Sequence, residues 1–336
     1  MTRPILMLAA AAWLAAAPGA RADTIITADG RTTGQVTKIT ATEVTVEQAG
    51  ITKAVPVNQI ESIYFEDEPF ALRNARTGCD AGRYAEVLEA LERLNVDEIQ
   101  RPEIKQDIAF YKALATGRAA LGGSGKVLDA ARLVKAFLDA HPHSFHYFEA
   151  CELMGELAVA AGSHSGAVEY FGRLAKAPWP DYKMRAGVAI GRAYLNQGKP
   201  QEAQKTFQGV LELEGDDEAA QRQRTAARLG LARCLAETSK PDEAIKLASE
   251  ILDKSDAEQA DLNAQAYNVL GIAHRKAGRP KDALWAFLHV DILYPSETEA
   301  HVEALKNLIP LWKELQKPER AAEAERILKE QDGRSP

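Results

Sequence analysis

The chain has 336 residues, of which 46% are hydrophobic and 26% are charged, and its formal net charge is −7. This balance is typical of a folded protein that is long enough for two structural units. Because an acidic chain offers little basic surface to phosphate groups, we expect no nucleic-acid partner.

The first 22 residues have the pattern of a secretory signal peptide. Arg3 precedes an almost entirely apolar segment, residues 5–17, and Ala20-Arg21-Ala22 has the small-x-small pattern of a cleavage site. We predict cleavage after Ala22 and a periplasmic or secreted protein of the bacterial cell envelope. An uncleaved anchor is the alternative. No later stretch reaches the roughly 18 apolar residues that a membrane-spanning helix needs, so we expect no transmembrane segment after cleavage.

Residues 23–67 predict a small all-β module. They carry five short runs of strand-forming residues, and the turn dipeptides Asp29-Gly30 and Ala49-Gly50 separate some of them. The segment resembles the small five-stranded barrels of the Sm-like and SH3-like families. About 45 residues bury too little surface to be robust alone, so we expect the module to dock on the first helices. It either caps the helical part or serves as a peptide-binding or assembly module.

From residue 68 to residue 331 the apolar pattern is helical, and one signal recurs. A basic residue, a proline and then an alanine three residues after the proline occur four times, and the alanines are Ala203, Ala244, Ala283 and Ala321. Their spacings of 41, 39 and 38 residues predict stacked helical hairpins rather than one globular core. Small residues twelve positions earlier and aromatic residues four positions later complete the pattern; they are Gly191, Ala232, Gly271, Phe207 and Phe287.

This pattern resembles the tetratricopeptide repeat. The best copy runs over residues 264–295 and has Gly271, Ala283, Phe287 and Pro295 at signature positions of the family. The resemblance implies a mainly α fold, an α-solenoid of helical hairpins over residues 68–331 that follows the β module. A generic helical solenoid outside the family is the alternative. The polar tail, residues 332–336, is expected to fray.

The sequence carries no motif that predicts catalysis, a metal or a cofactor. The glycine-rich stretch at residues 122–126 resembles a phosphate-binding loop, but Ala120 and Val127 replace residues that such a loop requires, so we predict a hairpin turn. The histidines at positions 141, 143 and 146 are expected in a solvated loop rather than around a metal. The three cysteines are expected to be free, buried thiols.

The resemblance also implies a concave groove lined by the first helix of each hairpin. The side chains at the corresponding positions are Glu149, Glu152, Glu156, Arg185, Arg192, Arg233, Gln265, Asn268 and Arg275. They predict a groove that is acidic at one end and basic further along. Because arginine binds carboxylates through two parallel hydrogen bonds, we expect an acidic segment or a C-terminal carboxylate as the ligand, held at Arg192, Arg233, Asn268 and Arg275. Solvated arginines on a helix face are the alternative.

The sequence as a whole predicts an exported, non-enzymatic scaffold or adaptor that binds protein or peptide segments. Two alternatives stay open: a structural subunit of the cell envelope that assembles through its terminal hairpins, and a glycan-binding module. Glycan binding would need exposed aromatic side chains, for which Trp179, Trp285 and Trp312 are candidates. We expect Trp285 and Trp312 to be packing residues instead.

Overall fold

A computed structural model describes residues 22–332 of the chain. The predicted signal peptide and tail lie outside this range, except for Ala22 and Asp332. The described part consists of a five-stranded antiparallel sheet followed by fourteen α-helices. This arrangement confirms the predicted fold, a mainly α solenoid with a small N-terminal β module.

The β module is formed by β1 (Asp23–Thr27), β2 (Gly30–Ile39), β3 (Glu43–Gln48), β4 (Ile51–Pro56) and β5 (Ile60–Tyr64). The strand order is β4-β3-β2-β1-β5, and all neighbouring strands are antiparallel. Alternate apolar residues on the strands are buried because successive side chains point to opposite faces of a sheet; they include Ile25, Val44, Val46 and Ile63. The likeness to Sm-like and SH3-like barrels stays a prediction.

The β module and the first helices share one hydrophobic core. Phe65, just after the last strand of the sheet, and Leu72, in the first helix, are both buried in the core that extends from β1 to the sixth helix. The expected docking of the module on the first helices is therefore confirmed. A chain segment of this size gains stability by this contact, since its own interior is too small.

Asp23, the first residue of β1, joins the module to the solenoid. Its carboxylate accepts hydrogen bonds from Arg101 at 2.6 and 2.7 Å and from the backbone N–H groups of Val36 and Glu66 at 2.8 and 3.0 Å. Burial alone would raise the pKa of Asp23, but the hydrogen bonds from Arg101, Glu66 and Val36 outweigh it and lower the pKa. The ionised carboxylate thus helps to hold the β module against the solenoid.

The helices pair into seven antiparallel hairpins. Their bounds are α1 (Phe70–Asp80) and α2 (Tyr84–Glu92), α3 (Pro102–Leu121) and α4 (Val127–Ala140), α5 (Tyr147–Ala160) and α6 (His164–Leu174), α7 (Pro180–Asn196) and α8 (Pro200–Leu211), α9 (Glu218–Glu237) and α10 (Pro241–Leu252), α11 (Ala260–Lys276) and α12 (Pro280–Leu293), and α13 (Thr298–Glu314) and α14 (Pro318–Asp332). Proline occupies the first turn of several second helices, where its missing N–H costs no intrahelical hydrogen bond.

A glycine on the first helix and a phenylalanine on the second helix hold the two helices of a hairpin close together. A Cβ atom at Gly191 would come within 2.5 Å of the ring of Phe207, and one at Gly271 within 2.7 Å of the ring of Phe287. Both rings are fully buried. The small and aromatic positions of the repeat therefore belong together, because the ring fills the space that a larger side chain would need.

The first helices of successive hairpins lie side by side and form the inner wall of the solenoid. Contacts join α1 to α3, α3 to α5, α7 to α9, α9 to α11, and α11 to α13. An ion pair between Arg185 and Glu152, with an N–O distance of 2.9 Å, bridges α5 and α7. The second helices form the outer wall. This division places the first helices, which carry the predicted groove residues, on the inner side of the molecule.

Candidate functional site

The inner wall contains an open cavity of about 450 Å³ along four successive first helices. This volume is within the range of ligand pockets, roughly 300–1,000 Å³. The lining comes from α7, α9, α11 and α13 and comprises Arg192, Leu195, Asn196, Ala226, Leu229, Gly230, Arg233, Glu237, Asp261, Gln265, Val269, Glu299, Ala300, Val302, Glu303 and Lys306.

The cavity combines apolar and charged side chains. Leu195, Leu229, Val269 and two alanines provide apolar contact surface, and three cations face four carboxylates around it. The cations are Arg192, Arg233 and Lys306, and the carboxylates are those of Glu237, Asp261, Glu299 and Glu303. This lining can bind a segment with both apolar and polar groups, and it offers cations that a carboxylate can reach.

Two hydrogen bonds cross the cavity between helices that are not neighbours. Arg192 of α7 donates to Gln265 Oε1 of α11 at 2.8 Å, and Arg233 of α9 donates to Glu303 Oε1 of α13 at 2.7 Å. In each case a further first helix lies between the two partners. Side chains that far apart in the stack meet only because the wall curves inward, so the cavity is concave.

The acidic end of the wall lies on α5, and its carboxylates are paired with cations of the neighbouring first helices. Glu152 bonds to Arg185 of α7 at 2.9 Å, and Glu156 bonds to Arg118 of α3 at 2.6 Å. Burial raises the pKa of both glutamates, and the neighbouring arginines reduce the increase without removing it. The third glutamate, Glu149, lies 3.3 Å from Nδ1 of His146.

Two of the predicted groove residues are placed differently from the prediction. Asn268 is fully buried, and its amide donates to the carbonyl of Ala300 at 2.8 Å, so it fixes α13 against α11 instead of facing a ligand. Arg275 is exposed in the last turn of α11 and does not line the cavity. The structure therefore brings together Arg192, Arg233 and Gln265 from the predicted set, and it leaves Asn268 and Arg275 outside.

The residues that α13 contributes were missed in the sequence. Glu299, Glu303 and Lys306 line the cavity, yet this repeat matches the family pattern weakly because Ile309 and Pro310 interrupt it. Pro310 lies inside α13, which continues to Glu314. Applying the repeat spacing to the weak copy would have found Glu303.

The β module lies close to the solenoid near α5, α6, α7 and α9. Ala41 packs against the core around α5, α6 and α7, and a second cavity of about 290 Å³ lies between the module and the solenoid. Its lining is Asn58 from the β4–β5 connection and Asp181, Tyr182, Arg185, Ala219 and Gln223 from α7 and α9. Arg185 is thus placed at the module, where its guanidinium lies 4.5 Å above the ring of Tyr182.

The histidine-containing loop between α4 and α5 is partly buried, which corrects the expectation of a solvated loop. The ring of His146 is stacked on Phe110, with centroids 3.6 Å apart, and Nε2 lies 3.5 Å from Asp107 Oδ1. Burial lowers the pKa of His146, but Asp107 and Glu149 outweigh it and raise the pKa. Between residues 22 and 332 no group of three or more potential ligands is placed to hold a metal ion.

The cysteines and tryptophans give two confirmations, the buried thiols and the packing of Trp312, and one correction. All three cysteines are buried free thiols, as predicted, and burial raises the pKa to about 12 for Cys79 and to about 11 for the other two. Trp179 and Trp312 pack against core clusters. Trp285, however, is 65% exposed, so the expectation that it packs is wrong.

Comparison with known proteins agrees with this architecture. Residues 188–258 match the family model described as Tetratricopeptide repeat. A tetratricopeptide repeat protein from Parabacteroides merdae ATCC 43184 is 17% identical and aligns over 79% of this chain and 97% of its own, with a TM-score of 0.59. Rap protein complexed with Competence and Sporulation Factor is 13% identical over 79% of this chain and 76% of its own, with a TM-score of 0.54. No curated protein matches the chain.

The repeat signature, the stacked hairpins and these likenesses together define an α-solenoid. Residues 188–258 match the tetratricopeptide-repeat model, and the chain as a whole has the fold of tetratricopeptide-repeat proteins. Over the residues that the structure describes, no helix has the length and apolar character to cross a membrane.

Proposed function

We propose that this protein is an exported, non-enzymatic scaffold that binds a segment of another protein in the cavity on its inner wall. The observation that carries the proposal is the continuous concave cavity along α7, α9, α11 and α13, which has apolar surface and charged groups in reach of one ligand. The Rap protein, whose structure was solved in complex with Competence and Sporulation Factor, supports a bound partner for a solenoid of this fold.

The ligand that fits the cavity is a segment with a carboxylate, from an acidic side chain or from a chain terminus. Arg233 bonds to Glu303 and Arg192 bonds to Gln265, so both guanidinium groups already hold an oxygen acceptor. A bound carboxylate would take the place of one of these acceptors, so the arginine would still have a hydrogen-bond partner. Such an exchange costs little because the side chains involved are partly exposed to water.

Export rests on the N-terminal pattern of Arg3, the apolar residues 5–17 and the small residues before Asp23. Sequencing the N-terminus of the protein from a periplasmic or secreted fraction tests it. We expect the mature chain to begin at Asp23. An intact N-terminus in the cytoplasm would contradict export without affecting the binding proposal.

Photo-crosslinking from the cavity tests the binding proposal. A photoreactive amino acid at Ala226, which lines the cavity, should yield an adduct with one partner in the compartment where the protein resides. The same amino acid at Lys205, exposed on the outer helix α8, is the matched control. Mass spectrometry of the adduct should place the crosslink in one segment of the partner. Equal yields of the same adducts from both positions would contradict the proposal.

A further inference from the structure

A chain of buried charged side chains runs from the end of the β module into the first helices. Glu68, just before α1, accepts hydrogen bonds from Arg76 of α1 at 2.8 and 2.9 Å. Arg76 also donates to Asp107 of α3 at 2.8 Å. His146, just before α5, faces the other oxygen of Asp107, with Nε2 and Oδ1 3.5 Å apart. No more than 6% of any of these four side chains is exposed.

The imidazole of His146 has a carboxylate at each of its two nitrogen atoms. Nδ1 lies 3.3 Å from Oε2 of Glu149, in the first turn of α5, and Nε2 faces Asp107. Among the described residues, the buried atoms Nε2 of His146 and Oδ1 of Asp107 have no other hydrogen-bond partner. A neutral imidazole has one N–H group, whereas an imidazolium has two. Only the charged ring can therefore donate to both carboxylates.

The balance of buried charge also favours the imidazolium. Glu68 and Asp107 carry two negative charges, and Arg76 carries one positive charge. A charged His146 makes this buried group neutral overall, whereas a neutral ring leaves one negative charge without a buried counter-charge, which is costly. The ring is also stacked on Phe110, with centroids 3.6 Å apart, and a cation gains from contact with an aromatic face.

The other titratable groups near the ring differ from His146 in the pH at which they titrate. Tyr111 of α3 meets the imidazole edge-on, and burial raises the pKa of its hydroxyl well above the ordinary value. Burial also raises the pKa of Cys79 of α1 to about 12, and the guanidinium of Arg76 stays charged at any pH. In the loop before α5, burial lowers the pKa of His141. Around neutral pH, His146 is thus the group in this region whose charge changes.

We propose that His146 is a pH-sensitive switch between α3 and α5. As an imidazolium, it donates to Asp107 of α3 and to Glu149 of α5 and holds the two helices together. When the ring loses a proton, the lone pair of one nitrogen faces a carboxylate, and that contact becomes repulsive. Glu149 is the partner that leaves, because its side chain is 47% exposed and can turn to water, whereas Asp107 is buried and held by Arg76.

The release of Glu149 changes the acidic end of the inner wall. After burial, repulsion from Glu149 is one of the causes that raise the pKa of Glu152 and Glu156, so the three carboxylates are close enough to interact. Loss of the positive charge of His146 makes this end of the wall more negative by one charge. None of these residues lines the cavity of the proposed function, so the switch does not rest on that proposal.

The switch stabilises the protein on the acidic side of the transition. Burial lowers the pKa of His146, but Asp107 and Glu149 outweigh burial and raise the pKa above the ordinary value of 6.5. A group with a raised pKa in the folded state stabilises the protein fully below its unfolded-state pKa. This stabilisation is lost as the pH rises through the folded-state pKa. We therefore expect the Tm to fall as the pH rises from about 6 to about 9.

An NMR titration of the full chain with labelled histidine measures the pKa of His146 directly. The substitution His146→Gln assigns the signal; should that variant not fold, replacing the other histidines one at a time assigns it by elimination. We expect a pKa above the ordinary value. Hydrogen exchange of residues 147–160, corrected for the intrinsic effect of pH, follows the release of α5. We expect lower protection above the folded-state pKa than below it.

The substitution Glu149→Gln separates the switch from a simple structural contact. A glutamine amide can donate to the lone pair of a neutral ring, so the charged form loses its advantage at Nδ1. The variant should have a lower pKa at His146, a smaller dependence of the Tm on pH, and no pH-dependent loss of protection in α5. The matched control is Glu169→Gln in α6, which removes a carboxylate from an exposed pair with Arg173 and should leave all three unchanged.

Each result supports or overturns the proposal. A raised pKa that falls in Glu149→Gln, together with pH-dependent protection of α5, supports it. A pKa of His146 at or below the ordinary value overturns it, because the ring would then not hold both carboxylates. A raised pKa that Glu149→Gln leaves unchanged overturns it as well, and so does equal protection of α5 on both sides of the transition. Crosslinking from Ala226 has no part in these measurements, so failure of the cavity proposal would not change them.

Discussion

Arg192 and Gln265 lie two hairpins apart and are joined by a hydrogen bond of 2.8 Å across the inner wall. Arg233 and Glu303 repeat this relationship one hairpin further along, at 2.7 Å. The two bonds can form only because the solenoid curves, since a further first helix lies between the partners of each bond. They also mean that the arginines expected to bind a ligand already have partners within the chain.

The substitution Glu303→Gln tests whether the internal partner competes with the ligand. The change removes the negative charge next to Arg233 and should tighten the binding of a carboxylate-bearing segment. A partly exposed ion pair is worth up to about 1 kcal/mol, which corresponds to roughly fivefold in Kd. Isothermal titration calorimetry with the partner segment identified by crosslinking measures the change in Kd. Glu218→Gln, outside the cavity, is the control, and equal affinities for both variants would refute the competition.

Because Gly191 contacts Phe207, we expect replacement of this glycine by alanine to lower the stability of the protein, although the same change usually stabilises a helix. Alanine normally stabilises a helix by about 1 kcal/mol relative to glycine. At Gly191 a Cβ atom would lie 2.5 Å from the ring of Phe207, so Gly191→Ala should destabilise the protein by about 1–3 kcal/mol. Gly209→Ala, in α8 of the same hairpin, has free space around the new Cβ and should not destabilise. Urea denaturation of both variants decides the question.

The Asp23–Arg101 pair should make the free energy of unfolding depend on pH. The pKa of Asp23 in the folded protein is lower than its ordinary value of 3.8. Its contribution is therefore complete above that value and is lost as the pH falls through the folded pKa. Asp23→Asn should lower the free energy of unfolding by about 3 kcal/mol at neutral pH, with the difference shrinking below pH ~4. Denaturation at several pH values tests this.

The matched control for Asp23→Asn is Asp129→Asn, which removes a carboxylate from an exposed ion pair with Arg132. Exposed pairs contribute about 0–1 kcal/mol, so little change is expected. If Asp23→Asn proved as harmless as this control, the carboxylate would have no structural role.

Two hairpin turns have a residue in a strained backbone conformation where other turns have glycine. The turns before α8 and α12 use Gly198 and Gly278, with φ of 69° and 71°. The turns before α10 and α14 use Ser239 and Gln316, with φ of 64° and 56°. The left-handed conformation costs a non-glycine residue roughly 1 kcal/mol, so Ser239→Gly should raise the free energy of unfolding by about 0.5–1 kcal/mol. A lower Tm for this variant would contradict the argument.

The sequence predicted the hairpins because each depends on residues close together in the chain. The proline and alanine that begin the second helix of a repeat, and the glycine twelve residues before that alanine, are local features. Gly271 and Phe287 were therefore recognised as positions of the pattern, and the structure shows that they contact each other. The curvature of the stack is different, since it results from small rotations between many hairpins. No local pattern indicates that Arg192 reaches Gln265 or that Arg233 reaches Glu303.

Burial across hairpins was equally hard to predict. Asn268 occupies a position that the repeat directs toward the groove, yet the close approach of α13 covers it. His146 belongs to a polar loop, yet Phe110 of α3 lies against its ring. Tryptophan is a large, largely apolar residue, but the side chain of Trp285 is exposed on the outer wall. For Asn268 and His146 the environment is decided by a helix far away in the sequence.

The most direct test of the central claim is the Kd of the crosslinked segment for the double variant Arg192→Ala with Arg233→Ala. Hydrogen bonds to charged groups contribute about 1.5–3 kcal/mol, so the affinity should fall at least tenfold. The control Arg222→Ala removes an exposed arginine from α9 outside the cavity and should bind like the unmodified protein. If the double variant bound the segment as tightly as the control, the inner wall would not be the binding surface.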